Sequence, residues 1–309
     1  MQLLIPYAFV AEEPGCAQAV ATLQLPVLER LLRRLTLTHT EDLSPHSLTP
    51  PHERALARAI GVQARDGMIP WAALELARCG IDPGTAGWAW VTPAHWQIGT
   101  DRIQMTDPAA LQLPEDESRA LMQAMAPWFA QDGIELQFDT PQRWLARGAA
   151  LADLPSASLD RVIGVDLGPW MPATAALRRL QNEMQMLLYT HPVNDARSAR
   201  GLQAVNSFWI SGSGALEAGA PAQPMPRIAG ALRSAALLGD WSHWAQAWQQ
   251  VDQEACQELA TVLDGGATGE LVLCSDRATL HFKPTAGSWR ERLQRRFSRA
   301  SLKDFIGPS

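Results

Sequence analysis

Residues 191–214 read HPVNDARSARGLQAVNSFWISGSG, and the prediction of the fold starts from these residues. It passes from His191-Pro192 into a strand-like apolar run, Phe208-Trp209-Ile210, and then into Ser211-Gly212-Ser213-Gly214. Small residues after a strand leave successive backbone N–H groups able to point at phosphate oxygens, so an anion-binding nest is one interpretation. A tight turn between a strand and a helix is an equally good one. No Gly-Lys-Ser/Thr follows, which excludes a phosphate-binding P-loop.

The residues before this stretch predict an α+β unit. An amphipathic helix is predicted over 173–190, because Leu177, Leu180 and Met184 recur on one face. Strand-like runs at 88–91, 97–105, 134–138 and 143–146 surround a second predicted helix at about 114–130. Strands crowded around one helix indicate a unit with its own core.

The two ends of the chain alternate predicted strands and helices. The apolar opening, residues 1–10, predicts a buried strand, and residues 270–274 predict another. Residues 36–51 are polar and contain three prolines, which predicts a long loop, and Pro51 suits the first position of a helix. We therefore predict an α/β core from 1–84 and 207–288, with a sheet flanked by helices, an inserted α+β domain at 85–206 and a tail at 289–309.

Composition excludes several classes of protein. The chain has 309 residues and a net charge of -6, which argues against a protein that acts mainly on nucleic acid. No apolar run approaches the roughly 20 residues that a transmembrane helix needs, and no basic region precedes the apolar opening as in a signal peptide. The four cysteines form no CxxC pair, so we expect buried free thiols in a cytoplasmic protein rather than a structural zinc site. Three histidines near carboxylates, His39, His46 and His52, match no metal-binding spacing.

The end of the chain is the one basic segment. Residues 287–309 carry six basic and two acidic side chains, and Trp289, Leu293 and Phe297 would form one apolar stripe on a helix. Such a basic amphipathic helix suits an anionic membrane surface or an acidic groove on a protein partner. The alternative that we favour is that the stripe packs on the protein's own acidic body, since a short helix gains most of its stability from packing.

The stretch at 191–214 resembles the signature of the archaeal-type, cofactor-independent phosphoglycerate mutases, roughly HPVNxxRxxxGxxPANxxxxRGAG, in register and without gaps. Residues 50–61, PPHERALARAIG, are similar to that family's PGSDxAxLxxxG. Residues 107–113 lie where the family has DRRAGRI, and residues 274–277, CSDR, lie where it has TGDH. A narrower resemblance, carried by 47–61 and 180–197, is to proteobacterial proteins labelled either phosphoglycerate mutase or RpfE-type regulatory protein.

The resemblance implies an alkaline-phosphatase-like α/β core and a chemistry that this sequence does not fully support. The family uses a serine nucleophile and two manganese or zinc ions to move a phosphate between the 2- and 3-positions of glycerate. Here the nucleophile's position is His52, and the first strand ends in Ile5-Pro6-Tyr7-Ala8 without the usual aspartate. Asp276 is followed by Arg277 where a histidine ligand belongs, and Asp240 is the other weak metal candidate. We therefore expect no metal cofactor.

The leading hypothesis is a catalytically degenerate phosphoglycerate-mutase-like protein with a regulatory role. It would bind a small phosphorylated or carboxylated metabolite, or a protein partner through its tail. The alternative is an active phosphotransferase that uses His52 as its nucleophile, since a histidine can carry a phosphoryl group. Besides His52, the candidate ligand contacts are Arg54, Arg143, His191, Asn194, Arg197, Asn206, Ser211, Ser213 and Arg277.

Overall fold

A computed structural model describes residues 1–216, 223–284 and 301–305 of the chain. The chain divides into two compact units. Unit 1 takes in Met1–Pro45, Pro50–Val62 and the described part of 221–309, and unit 2 takes in His46–Thr49 and the described part of 63–220.

The described strands and helices follow one another in a mixed order. The strands are β1 (Gln2–Ile5), β2 (Thr36–Asp42), β3 (Trp88–Ala94), β4 (Trp96–Ile98), β5 (Ile103–Met105), β6 (Glu135–Thr140), β7 (Arg143–Arg147), β8 (Ser207–Gly214), β9 (Arg227–Ile228), β10 (Glu270–Cys274) and β11 (Ala278–Lys283). The helices are α1 (Pro14–Thr22), α2 (Pro26–Arg34), α3 (Pro51–Ala59), α4 (Trp71–Arg78), α5 (Glu115–Gln131), α6 (Ala175–Tyr189), α7 (Pro192–Ala199), α8 (Arg233–Leu237), α9 (Trp241–Val251) and α10 (Gln257–Asp264). A π-helical turn, Asp252–Cys256, joins α9 to α10.

Unit 1 is built on a five-stranded sheet in the order β2-β11-β10-β1-β9. Strand β1 pairs in parallel with β10 and β9, and β11 and β2 extend the sheet beyond β10 in antiparallel pairings. Side chains alternate across β1, so that Leu3 and Ile5 join the main core with helices α1, α2, α9 and α10. Leu4 faces the other way and packs against Ala55 of α3. Helices therefore cover both faces, and the predicted α/β class is confirmed for this unit.

A buried carboxylate begins helix α2. The N-cap residue Leu25 offers no side-chain hydrogen bond to the helix. Asp252 of the π-helical turn takes that role, and accepts from the backbone N–H of Leu28 at 2.6 Å and of Val27 at 3.2 Å. Burial raises the pKa of Asp252, while these two hydrogen bonds act in the opposite direction.

Unit 2 is built on an antiparallel sheet in the order β6-β7-β3-β8. Helices α5 and α6 pack their apolar stripes on this sheet, and the strands bury Val91, Trp144 and Phe208 against them. Strands β4 and β5 form a separate hairpin. The predicted α+β unit is therefore present, although residues predicted as one strand at 97–105 form most of a hairpin.

The predicted domain boundaries differ from the division in the structure. Two segments assigned to the core join unit 2 instead of unit 1: residues 63–84 and residues 207–216. Helix α4 packs Ala72 and Leu76 on Trp88 of β3, and strand β8 pairs with β3 along most of its length. The pairing joins residues more than 100 positions apart in the chain, so no local pattern marks it.

Two loop predictions were wrong. Residues 36–42, predicted as part of a loop, form the edge strand β2, whose polar residues tolerate exposure because its partner β11 supplies the pairing. Ser211-Gly212-Ser213-Gly214 lies inside β8 and is neither an anion-binding nest nor a turn into a helix. Gly212 has a φ of +61°, and a Cβ there would lie 2.9 Å from the Trp90 ring, so the backbone of this strand requires glycine at that position.

Most of the predicted tail, 289–309, lies outside the described residues. Within 301–305, Leu302 is buried in the core of unit 1, and the rings of Phe305 and Phe282 lie 5.4 Å apart. These five residues pack on the protein itself, whereas the stripe of Trp289, Leu293 and Phe297 remains a prediction. None of the helices in the described ranges has the length and apolar character that crossing a bilayer demands.

Candidate functional site at the carboxyl edge of unit 1

The carboxyl ends of β1 and β10 lie side by side, because these two strands are parallel neighbours. Ligands of open α/β sheets bind at this edge. Residues 6–12 follow β1 and residues 275–277 follow β10. The two segments are joined where the Ala8 N–H donates to the Cys274 carbonyl at 2.8 Å. We call this region the carboxyl edge.

Two tryptophans of α9 fix the segment after β1. Trp244 Nε1 donates to the Tyr7 carbonyl at 2.9 Å, and Trp248 Nε1 donates to the Ala8 carbonyl at 3.0 Å. Both indoles are fully buried. Tyr7 adopts a left-handed backbone, with a φ of +54°, which is costly for a residue with a side chain and requires such support. The spacing of the two tryptophans was visible in the sequence, but their hydrogen bonds to this segment were not.

His52 lies at this edge, as the second residue of α3. Its ring centroid is 5.4 Å from that of Tyr7, at a tilt of 50°. The Thr279 hydroxyl donates to the carbonyl of Pro51 at 3.5 Å, which places the start of α3 beside β11. The first turn of a helix is favourable for an anion, since its N–H groups and macrodipole point that way.

Asp276 and Arg277 form the other side of the carboxyl edge. One Asp276 oxygen accepts from the Ala11 N–H at 2.8 Å, and the other lies 3.7 Å from Arg277 Nε. The Arg277 guanidinium pairs with Glu12 at 2.9 Å. The hydrogen bond to Glu12 raises the pKa of Arg277, and Asp276 and Asp42 add to that effect. His52 contacts Tyr7, which follows β1, and Asp276 and Arg277 follow the neighbouring strand β10. That these three residues form one site stays a prediction.

The donor set around Asp276 does not fit a pair of divalent metal ions. One oxygen of Asp276 is used by a backbone N–H, and the neighbouring guanidinium of Arg277 would repel a cation. Asp240, the second metal candidate, caps α9 at the surface and accepts from the His243 N–H at 3.0 Å and from His243 Nδ1 at 2.6 Å. These hydrogen bonds, the backbone one first, lower the pKa of Asp240. Among the described residues, no three His, Cys, Asp or Glu side chains are arranged to hold a metal.

A second group of cations and histidines in unit 1 lies near strand β2. Arg58 of α3 pairs with Glu41 at 2.5 Å, and the charge of Arg54 acts on the same carboxylate. The rings of His39 and His281 lie 5.6 Å apart. Burial lowers the pKa of His281, and the nearby charges of His39, Arg58 and Lys283 lower it further. His46 belongs to unit 2, so the three histidines noted in the sequence are divided between the units.

In unit 2, the polar residues of the 191–206 motif hold loops together. His191 Nδ1 accepts from the Val193 N–H at 3.2 Å and so caps α7. The Asn194 amide donates to the Leu188 and Val205 carbonyls and accepts from the Val205 N–H. Asn206 exchanges two hydrogen bonds with the backbone of Trp96, at 2.7 and 2.9 Å. The polar atoms of these residues are therefore used within the fold.

Arg197 is the most deeply buried charge of the motif, with a side chain that is 0% exposed. Its Nε donates to the Gln203 carbonyl at 2.8 Å and its Nη2 donates to the Leu111 carbonyl at 2.5 Å. Its Nη1 pairs with Glu117 at 2.7 Å. Every guanidinium nitrogen of Arg197 thus has a protein partner, as expected of a residue that stabilises the fold of unit 2.

The other candidates of unit 2 lie on its sheet. Arg143 pairs with Glu75 at 2.9 Å and Asp139 at 2.6 Å, and its guanidinium covers the Trp90 ring. Ser211 is a buried residue of β8 opposite Trp90. The Ser213 hydroxyl donates to the Leu154 carbonyl at 2.6 Å and shares a hydrogen bond with Ser156.

No model of a protein family matches the sequence, and no curated protein matches it. Two solved structures are similar over most of the chain. The cofactor-independent phosphoglycerate mutase from Thermoplasma acidophilum DSM 1728 has 14% identity and a TM-score of 0.38, over 93% of this chain and 90% of that one. The PH0037 protein from Pyrococcus horikoshii has 12% identity and a TM-score of 0.46, over 95% of this chain and 92% of that one. Similarity at this level does not indicate an activity for this chain.

Proposed function

We propose that this protein is phosphoglycerate-mutase-like and binds a small anionic metabolite at the carboxyl edge of unit 1, in a regulatory role and without mutase turnover. The observation that carries the proposal is the position of Arg277. It lies at the carboxyl end of β10, and its ion-pair partner Glu12 has a side chain that is 82% exposed. An exposed ion pair contributes only about 0–1 kcal/mol. A phosphate or carboxylate ligand can therefore replace Glu12 at low cost.

The first turn of α3 supports the same proposal from the other side of the edge. His52 lies there beside Tyr7, where the positive end of the helix favours negative charge. The indoles of Trp244 and Trp248 hold the segment between these groups, so little ordering is needed when a ligand arrives.

We propose that turnover is absent because the residues around Asp276 are unsuited to bind the metal ions of the family. Moving a phosphoryl group requires strong, preorganised neutralisation of its charge, which two metal ions supply in the family that the sequence resembles. The surroundings of Asp276 do not fit such ions, because a backbone N–H and Arg277 already contact its oxygens. Purified protein is expected to contain less than one manganese or zinc ion per chain by elemental analysis, and two ions per chain would contradict the proposal.

Calorimetric titration of the full chain with 3-phosphoglycerate, and separately with inorganic phosphate, tests the binding site. Arg277→Gln is expected to weaken binding at least roughly tenfold, as the loss of a charge-assisted hydrogen bond predicts. Glu12→Gln should tighten binding, because it removes the competing carboxylate. Arg65→Gln is the matched control, since Arg65 forms an exposed pair with Asp153 and should leave affinity unchanged. Equal affinity in wild type and Arg277→Gln, or no binding at all, would refute the site.

A mutase assay separates the proposal from its alternative. With 2- or 3-phosphoglycerate as substrate, we expect no turnover above background. Turnover that His52→Ala abolishes would instead establish His52 as the nucleophile of an active phosphotransferase. His39→Ala, on strand β2, is the control for a general effect of removing a histidine from unit 1.

A further inference from the structure

Unit 2 contains a pocket with a volume of about 150 Å³. Helix α6 and strand β8 supply part of its lining, and residues 154–157 and 169–173 supply most of the rest. Its walls are mainly apolar, with Leu48, Leu154, Trp170, Met171, Leu177 and Trp209 among the lining side chains. A cavity of this size with apolar walls accommodates one benzene-sized ring.

Two polar side chains, those of Ser156 and Gln181, interrupt this apolar lining, and the Ser156 hydroxyl shares a hydrogen bond with Ser213. Gln181 of α6 lines the pocket and is only 1% exposed. Its Oε1 is buried and accepts no hydrogen bond from the described residues. A buried acceptor without a donor is unfavourable, and an apolar residue would avoid that cost at this position of the helix. The position therefore calls for a donor that the described part of the chain does not supply.

The rim of the pocket is held in place by hydrogen bonds. Arg178 Nη1 donates to the carbonyls of Pro172 and Ala173, at 2.9 Å each. For the lining segment 154–157, Ser213 donates to the Leu154 carbonyl at 2.6 Å, and Trp209 Nε1 donates to the Ala157 carbonyl at 2.9 Å. The pocket is thus preformed, as ligand pockets usually are.

The lining also restricts the charge of an occupant. None of the lining residues has an ionisable side chain, and burial of a charge without a partner is costly. The anionic metabolite proposed for unit 1 does not suit this pocket, so a ligand here belongs to a different chemical class.

We propose that this pocket binds a neutral, single-ring aromatic compound that carries one N–H or O–H group. The ring occupies the apolar part of the pocket, and the N–H or O–H donates to Gln181 Oε1. The ring accounts for the volume and the apolar walls, and the donor satisfies the one unpartnered polar atom in the lining.

Phenol and toluene are matched probes, because both are single rings of similar size and only phenol carries a donor. Binding to the full chain is followed by NMR through the methyl group of Met171, which lines the pocket. Wild type is expected to bind phenol roughly tenfold more tightly than toluene, as one net hydrogen bond predicts. Gln181→Leu should remove this preference, and toluene affinity should stay the same or rise.

Two further variants keep the test decisive. Gln181→Met retains the length of the side chain without its hydrogen-bonding group. If Gln181→Leu does not fold, Gln181→Met takes its place, and it should likewise show no preference for phenol. Gln203→Leu is the control, because Gln203 also has a buried Oε1 without a partner among the described residues but does not line the pocket. It should leave both affinities unchanged.

Three results would overturn the proposal. Equal affinity of wild type for phenol and toluene would show that Gln181 does not select the ligand. An unchanged preference in Gln181→Leu would show the same. No response of the Met171 methyl group to either compound would show that the pocket holds a buried water only.

Discussion

Replacing Arg197 by methionine is expected to destabilise unit 2 strongly. The change removes the hydrogen bonds that Arg197 now donates to the carboxylate of Glu117 and to the carbonyls of Gln203 and Leu111. Removing one partner of a buried ion pair costs about 3–5 kcal/mol. Glu117 is 12% exposed and keeps its second partner, Arg200, so the loss should lie near the lower end of that range.

Arg200→Met is the matched control, because Arg200 pairs with the same carboxylate but has a side chain that is 50% exposed. Its loss should cost less than about 1 kcal/mol. Urea unfolding followed by circular dichroism measures both variants. With a slope of about 1–3 kcal/mol per molar urea, Arg197→Met should lower the midpoint of the transition of unit 2 by roughly 1 M or more. Equal midpoints for the two variants would refute the structural role. Loss of 3-phosphoglycerate binding at unchanged stability would make Arg197 a ligand contact instead.

Three other perturbations follow from the structure. Of the four cysteines only Cys79 is exposed, and burial raises the pKa of Cys274 to about 12. One thiol per native chain should therefore react with a disulfide reagent at mildly alkaline pH, and four should react after unfolding. A second fast-reacting thiol in the native chain would contradict the burial of the other three. Gly212→Ala combines a left-handed backbone, which costs about 1–2 kcal/mol, with a 2.9 Å contact to Trp90, so it should lower the melting temperature more than Gly266→Ala, where φ is +79° and the space is open. Burial acts to raise the pKa of Glu41, but the hydrogen bond and charge of Arg58 outweigh burial, so the pKa of Glu41 is lowered. The stability from this pair is therefore present above the ordinary pKa of 4.5 and is lost as pH falls through the lowered pKa. Arg58→Gln should flatten that part of a curve of melting temperature against pH, and an unchanged curve would contradict the assignment.

The elements that the sequence predicts well are those with local signals. Helix α3 begins with a proline, and α5 and α6 carry an apolar stripe that the sheet buries. Strand β2 has no such signal, because its polar residues form a strand only through pairing with β11. The division into units was misplaced for the same reason: β8 joins the sheet of unit 2 through its pairing with β3.

The candidate site was predictable only where the direction of a strand determines at which edge of the sheet the following residues lie. The segment with Tyr7, the neighbour of His52, and the segment with Asp276 and Arg277 lie at one edge because β1 and β10 run in parallel. Asn194 and Arg197 have the same chemical groups as ligand contacts, but their side chains face the backbone of unit 2. Sequence alone does not show which way a polar side chain faces. Nor does it show that the Gln181 amide is buried beside a pocket.

The two tryptophan hydrogen bonds to the segment after β1 have a kinetic consequence. The Tyr7 and Ala8 carbonyls accept from fully buried indoles, so they can change partners only when α9 separates from the sheet. The segment after β1 is therefore rigid on the timescale of ligand encounter. An anion that binds there therefore meets no gate. Its observed association rate should rise linearly with concentration and reach no plateau, as for a rigid-body encounter.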